Sequence, residues 1–134
     1  MVDLTQYHLT LLVLGLTAML MIVQLLIADV LAIVKKHPPG FPVENNHENL
    51  LFRANRTHLN INESIAIFIL SIAFAIAMNA NSNVVNGAAL SYFVARALYT
   101  LCYYLNLKLL RSALFAISLV ALIVINIAGF IAWF

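Results

Sequence analysis

Apolar residues fill this chain in four long stretches, and the polar positions that interrupt them recur at helical spacing. The first stretch runs from about Leu9 to Val34 and is interrupted by Gln24 and Asp29. The second has a polar start near Asn49 and an apolar body from Ile65 to Met78. The third runs from Ala88 to Leu107 and the fourth from Leu109 to Phe134. A helix that crosses a bilayer needs ~20 residues. The second stretch reaches that length only if its polar front, residues 49–64, is helical too. The pattern therefore predicts an all-α membrane protein, an antiparallel four-helix transmembrane bundle occupying residues 1–134 as a single domain.

The connections agree with this division. Lys35-Lys36-His37-Pro38-Pro39-Gly40-Phe41-Pro42 holds every proline of the chain and cannot continue a helix. Asn45 or Asn46 is expected to cap the second helix, with Glu48 in its first turn. Asn79 to Gly87 reads as an asparagine-rich turn. Asn106-Leu107-Lys108 is so short that helices 3 and 4 must be antiparallel neighbours.

Two polar stripes need a reason to exist. Arg56, Asn60 and Glu63 are four and then three residues apart, which puts them on one narrow helix face. His58 and Asn62 share roughly the opposite face. On helix 3, Tyr92, Arg96, Tyr99 and Tyr103 form a second stripe. Charged groups are costly in a bilayer and persist with partners inside a bundle or in a wet cavity. Glu63 is the only carboxylate at a depth comparable with Arg96, so the two are expected to pair, directly or through one ligand or water. Two such stripes on neighbouring helices point to a built site; the simpler alternative is an ion pair that locks helix packing.

Composition supports a membrane protein: 64% of residues are hydrophobic and 9% charged, against roughly 25% charged in soluble domains. A net charge of +2 gives no basis for nucleic-acid binding. Cys102 is the only cysteine, which excludes an intrachain disulfide, and it reads as a buried structural thiol. No metal-ligating cluster is expected. A cleaved signal peptide is not expected, because the start is acidic at Asp3 and lacks a basic region. Lys35, Lys36, Arg53 and Arg56 flank the first connection, and Lys108 and Arg111 flank the third. The second connection and both termini carry no lysine or arginine. By the positive-inside rule both termini face the non-cytoplasmic side. The sequons at Asn55 and Asn62 should then stay unused.

The run Arg53-Ala54-Asn55-Arg56-Thr57-His58-Leu59-Asn60-Ile61-Asn62-Glu63, followed by Phe68, resembles the helix 2 signature of the MAPEG family, membrane-associated proteins in eicosanoid and glutathione metabolism. The run from Arg96 to Tyr103, then Leu110-Arg111-Ser112, resembles that family's helix 3 to helix 4 signature. The spacing is most similar to the small bacterial branch, which implies a bacterial inner-membrane location. The resemblance further implies a homotrimer with glutathione, the co-substrate, bound between subunits near the cytoplasmic side. The positions matching Arg56, Asn60, Glu63, Tyr99 and Tyr103 contact the tripeptide in the family's enzymes, and the position matching His58 reaches the adjacent subunit's ligand. Arg96 joins them as a candidate binding residue. The position matching Arg111 is the thiol-activating arginine of glutathione-conjugating members, so Arg111 is the candidate catalytic residue. The implied partners are glutathione, a lipophilic small-molecule substrate and membrane lipid, and the implied chemistry is transferase or peroxidase.

Departures are also visible. Ser64 stands where several family enzymes carry tyrosine, and Leu59 where prostaglandin-forming members carry a second arginine. The family also contains a non-enzymatic lipid-binding member, so an accessory, non-catalytic role is the alternative. A small cation exporter would want a carboxylate in the middle of helix 1, whereas Asp29 lies near its end.

The topology is testable by labelling. In a Cys102→Ser background, a cysteine at Asn81 should react with an impermeant reagent from outside, and one at Gly40 only after permeabilisation. The reverse pattern would invert the orientation.

Overall fold

The computed structural model describes residues 3–134. A short 3₁₀ turn, Leu4–Tyr7, leads into α1 (His8–Val34); α2 (Leu50–Ala77), α3 (Ser82–Tyr104) and α4 (Lys108–Trp133) follow, with no strand among the described residues. The four expected helices are present, and the polar front of the second is helical. The 3₁₀ turn with α1, α2 and α4 are each long and apolar enough to cross a membrane. α3 is more polar because Asn83, Asn86, Ser91, Tyr92 and Arg96 lie along it.

Two boundaries differ from the sequence expectation. α2 is capped by Asn49, whose side chain accepts from the Leu51 amide at 3.0 Å, and not by Asn45 or Asn46. Asn46 instead closes a turn of its own by accepting from the Glu48 amide at 2.9 Å, which leaves Glu48 outside the helix. α3 begins at Ser82, where a turn extending to Gly87 was expected, with Asn81 accepting from the amides of Asn83 and Val84. Asn86 is thereby placed to accept from the Thr10 amide at 2.9 Å and the Thr10 hydroxyl at 2.7 Å. It caps the first turn of α1 from another helix, supplying an acceptor for an amide that has no intrahelical partner.

The first three helices end alike. Lys36, Asn79 and Asn106 each adopt positive φ (53°, 54° and 59°), and the next amide turns back onto the final helical turn. The returning bonds are His37 to Ala32, Ala80 to Ala75 and Leu107 to Cys102, at 2.8–2.9 Å. This closure satisfies carbonyls that would otherwise be orphaned, and asparagine tolerates the left-handed conformation better than most residues. It also makes sharp reversals, so α3 and α4 pack closely along their length.

The core uses small residues to bring backbones together. Ala75, Ala88, Ala89, Ala121 and Ala128 are buried beside Ile72, Leu122 and Ile125, and the Phe68 ring stacks on Tyr92 at 4.0 Å. Close backbone approach is how helices associate where lipid removes the usual hydrophobic driving force. Leucine, isoleucine and valine crowd the outward faces, as a hydrocarbon surround requires. Cys102 departs from expectation: it is free but only half-buried, because it lies about 100° around the helix from buried Tyr103.

α4 packs closely on α2 at Gly129, where an added Cβ would sit 2.7 Å from two carbons of the Phe74 ring and 3.4 Å from the Ala75 Cα. Gly129→Ala should therefore lower stability by about 1–3 kcal/mol, the usual range for overpacking. The same substitution at Gly87, where a Cβ meets nothing within 4 Å, should not. Thermal unfolding of both variants in detergent tests the pair.

Candidate functional site

The two polar stripes meet where α2 and α3 pack near the basic end of the bundle. Tyr92, Arg96, Tyr99 and Tyr103 all point inward, and Arg96 is 1% exposed. One Arg96 nitrogen, Nη2, donates to Asn60 Oδ1 at 2.8 Å, and the guanidinium carbon lies 4.9 Å from the Tyr99 ring centre and 5.9 Å from that of Phe115. Asn60 Nδ2 in turn donates to Glu63 Oε2 at 3.3 Å. Arg96 and Glu63 are therefore linked through a side chain, Asn60, where contact or a single ligand or water was expected. The i, i+3 spacing on α2 lets Asn60 reach Glu63, while its amide oxygen faces α3. Nε and Nη1 of Arg96 are buried without a partner among the described residues.

A contribution from α1 escaped the sequence reading. Gln24 is buried, and its Nε2 donates to Thr100 Oγ1 at 2.6 Å, while that hydroxyl donates to the Arg96 carbonyl at 2.9 Å. The only signal was an amide in an otherwise apolar helix. Gln24 Oε1 has no partner among the described residues.

One turn closer to the basic end, Arg53 ties three elements together. Its Nη1 donates to the His47 carbonyl at 2.6 Å and its Nη2 to the Tyr104 carbonyl at 3.2 Å, at the end of α3. The Arg111 guanidinium lies 4.4 Å from the Tyr103 ring centre, with Nη1 3.4 Å from His47 Nδ1. Tyr99 and Tyr103 pack ring against ring at 5.5 Å. His47 is half-buried and its imidazole is held below the ordinary histidine range, first by burial and then by the charges of Arg111, Lys108, Arg53 and Arg56. A loop histidine has no helical register, so no pattern along the chain places it here.

The structure thus brings together Asn60, Arg96, Tyr99, Tyr103 and Arg111. Arg56 and Glu63 share the α2 face with Asn60; Arg56 is half-buried and Glu63 exposed. His58 stands apart from this cluster, paired with Asn62 at 3.2 Å on another side of α2.

The sequence model of the MAPEG family matches residues 9–131. The chain belongs to the MAPEG family. Comparison with curated proteins and with solved structures gave no match. Membership, together with the spanning helices, makes this an integral membrane protein whose role at family level is of the glutathione and eicosanoid metabolism type. In this MAPEG chain Ser64 Oγ lies 2.9 Å from the Tyr92 hydroxyl, a contact that ties α2 to α3.

Asn60 is the joint of the network. Its replacement by alanine should leave the Arg96 guanidinium without its recorded acceptor and cost about 1.5–3 kcal/mol, the range for a hydrogen bond to a charged group. Asn62→Ala, on the His58 side, should cost much less. Equal melting temperatures for the two variants would show that Arg96 does not depend on Asn60.

Proposed function

We propose that the protein is a homotrimeric, glutathione-dependent transferase or peroxidase acting on apolar electrophiles or lipid hydroperoxides. The observation that carries this reading is the position of Arg111 over the Tyr103 ring, at the same end of the bundle as Arg56, in a chain of the MAPEG family. Glutathione offers two carboxylates, an ammonium and a thiol, and this end of the bundle offers matching groups. Arg56 would hold a carboxylate and Glu63 the ammonium, with Tyr99 and Tyr103 lining the cleft. His58, turned away from the cluster, would reach the ligand of a neighbouring subunit.

Trimer formation is supported by what the isolated subunit leaves uncovered. Glu63 is exposed on a membrane-spanning helix, on a stripe continued by Ile67 and Leu70, which are 51% and 70% exposed. A carboxylate facing lipid is costly, and a second copy packed on α2 would cover it. The apolar substrate has a candidate approach along the outer groove between α3 and α4. Leu98 and Leu114 lie at one end of that groove, about one turn from Arg111, beside a cavity of about 350 Å³.

A free thiol titrates near 8.5, and a neighbouring cation lowers that value by favouring the thiolate. Arg111 would supply this cation. The thiolate sulfur attacks an electrophilic carbon, a carbon–sulfur bond forms and the leaving group departs with its electron pair. With a hydroperoxide the sulfur attacks the terminal oxygen, the O–O bond breaks, the alcohol leaves and a sulfenic acid forms, from which a second glutathione displaces water to give the disulfide. The same groove would suit lipid binding without turnover, the reading that takes over if no electrophile or hydroperoxide is consumed.

Arg111→Ala should still bind glutathione but lose most conjugation of a model electrophile near neutral pH. The loss should be about tenfold for each unit by which the bound thiol's pKa rises. Activity should return as pH increases, because the thiol then ionises unaided. A variant that turns over like wild type would leave Arg111 as a simple topology residue.

A further inference from the structure

His47 sits in the connection before α2, outside the two stripes, yet it is gripped from several sides. Its carbonyl accepts from Arg53 Nη1 at 2.6 Å. The Phe52 ring meets it edge-on at 5.0 Å, and the Tyr103 ring lies tilted at 6.0 Å. This leaves Nδ1 3.4 Å from Nη1 of Arg111. A guanidinium only donates. For that approach to be favourable, Nδ1 must carry a lone pair, so the imidazole must be neutral with its proton on Nε2.

We propose that neutral His47 is the positioning residue for Arg111: it accepts from the guanidinium beside the Tyr103 ring, and its protonation releases Arg111 from that seat. The inference rests on the role proposed for Arg111 above. In the neutral state Arg111 is held by an acceptor and an aromatic face, both favourable to a cation. Protonation replaces the lone pair by an N–H and adds a like charge, so the contact between Arg111 and His47 becomes repulsive.

The surroundings oppose that protonation. Arg111 and Lys108 from α4, and Arg53 and Arg56 from α2, face His47 with positive charge, while α3 contributes the neutral Tyr103 ring. Glu48 is the adjacent carboxylate, directed toward the Asn106 amide at 3.5 Å. Burial and the four cations hold the His47 pKa below its ordinary 6.5. A histidine with a lowered folded-state pKa contributes stability that is fully present above 6.5 and is lost as pH falls through the folded value. Arg111 is therefore seated at neutral pH and released on acidification.

The test uses the full chain in detergent or nanodiscs as wild type, His47→Asn, His47→Ala and Arg111→Ala. Asparagine keeps an acceptor near the position of Nδ1 but does not titrate. Glutathione conjugation and the ultraviolet absorbance of bound thiolate are followed against pH, and nitrogen-15 NMR follows the His47 ring. Wild-type kcat/KM should fall by about a hundredfold per pH unit on the far acidic limb, where thiol and imidazole must both deprotonate. His47→Asn should stay within about threefold of wild type at neutral pH and fall by only about tenfold per unit. His47→Ala should raise the pKa of bound thiol and recover activity at high pH. Ring nitrogen shifts should report a lone pair on Nδ1, and Arg111→Ala should raise the His47 pKa toward 6.5. An acidic limb in His47→Asn as steep as in wild type, a proton on Nδ1, or a His47 pKa indifferent to Arg111 would overturn the proposal. The NMR measurements need neither glutathione nor turnover. A wild type that binds no glutathione would count against the functional reading alone, while the coupling of His47 to Arg111 is decided separately.

Discussion

A guanidinium inside a membrane-spanning bundle is the constraint that orders the rest of this structure. Arg96 is almost wholly removed from solvent, and burying a charge without compensation is prohibitive. Its compensation is assembled from different helices: Asn60 from α2 through Nη2, and the rings of Tyr99 from α3 and Phe115 from α4. Thr100, on the next turn of α3, carries the link to Gln24 of α1. The polar front of α2 must be helical for Asn60 to arrive at this depth. That requirement explains why a transmembrane helix begins with residues as polar as Arg53, Asn55 and Arg56.

The basic end of the bundle is organised around a second set of cations, and their partners are mostly not carboxylates. Arg53 is held by the backbone carbonyls of His47 and Tyr104, and Arg111 by an aromatic face and an imidazole nitrogen. Such partners fix a cation in place without cancelling its charge. An arginine neutralised by aspartate would be a poor activator of a thiol, because the field at the sulfur would be largely quenched. Cations seated on neutral groups keep their field available, which suits the proposed site, where anionic carboxylates would be attracted and a thiolate favoured.

Much of this was legible in the sequence because helices impose a period. The number and order of the four helices follow from the apolar stretches, and the two stripes and the inward direction of Arg96, Tyr99 and Tyr103 from steps of three and four residues. Contacts set by tertiary geometry were not legible. The start of α3 is a local cap by Asn81 hidden in an asparagine-rich run, whereas the reach of Asn86 to Thr10, 76 positions away, is encoded by no local pattern. The pairing of Arg96 with Glu63 was read from depth alone, which could not reveal that Asn60 stands between them. His47 lies in a connection whose path is fixed by Arg53 and Phe52, so its place beside Arg111 emerges only once α2, α3 and α4 are packed.

As proposed above, the stripe on α2 and the arginine at the head of α4 form a binding site for glutathione, beyond locking helices together. Calorimetric titration of glutathione into the purified, detergent-solubilised protein tests this, with Arg56→Ala measured beside the wild type. Saturable binding by wild type and a large loss of affinity in Arg56→Ala at unchanged melting temperature are expected. No binding heat and no thermal stabilisation of wild type at millimolar glutathione would contradict it, leaving the polar stripes as elements of helix packing.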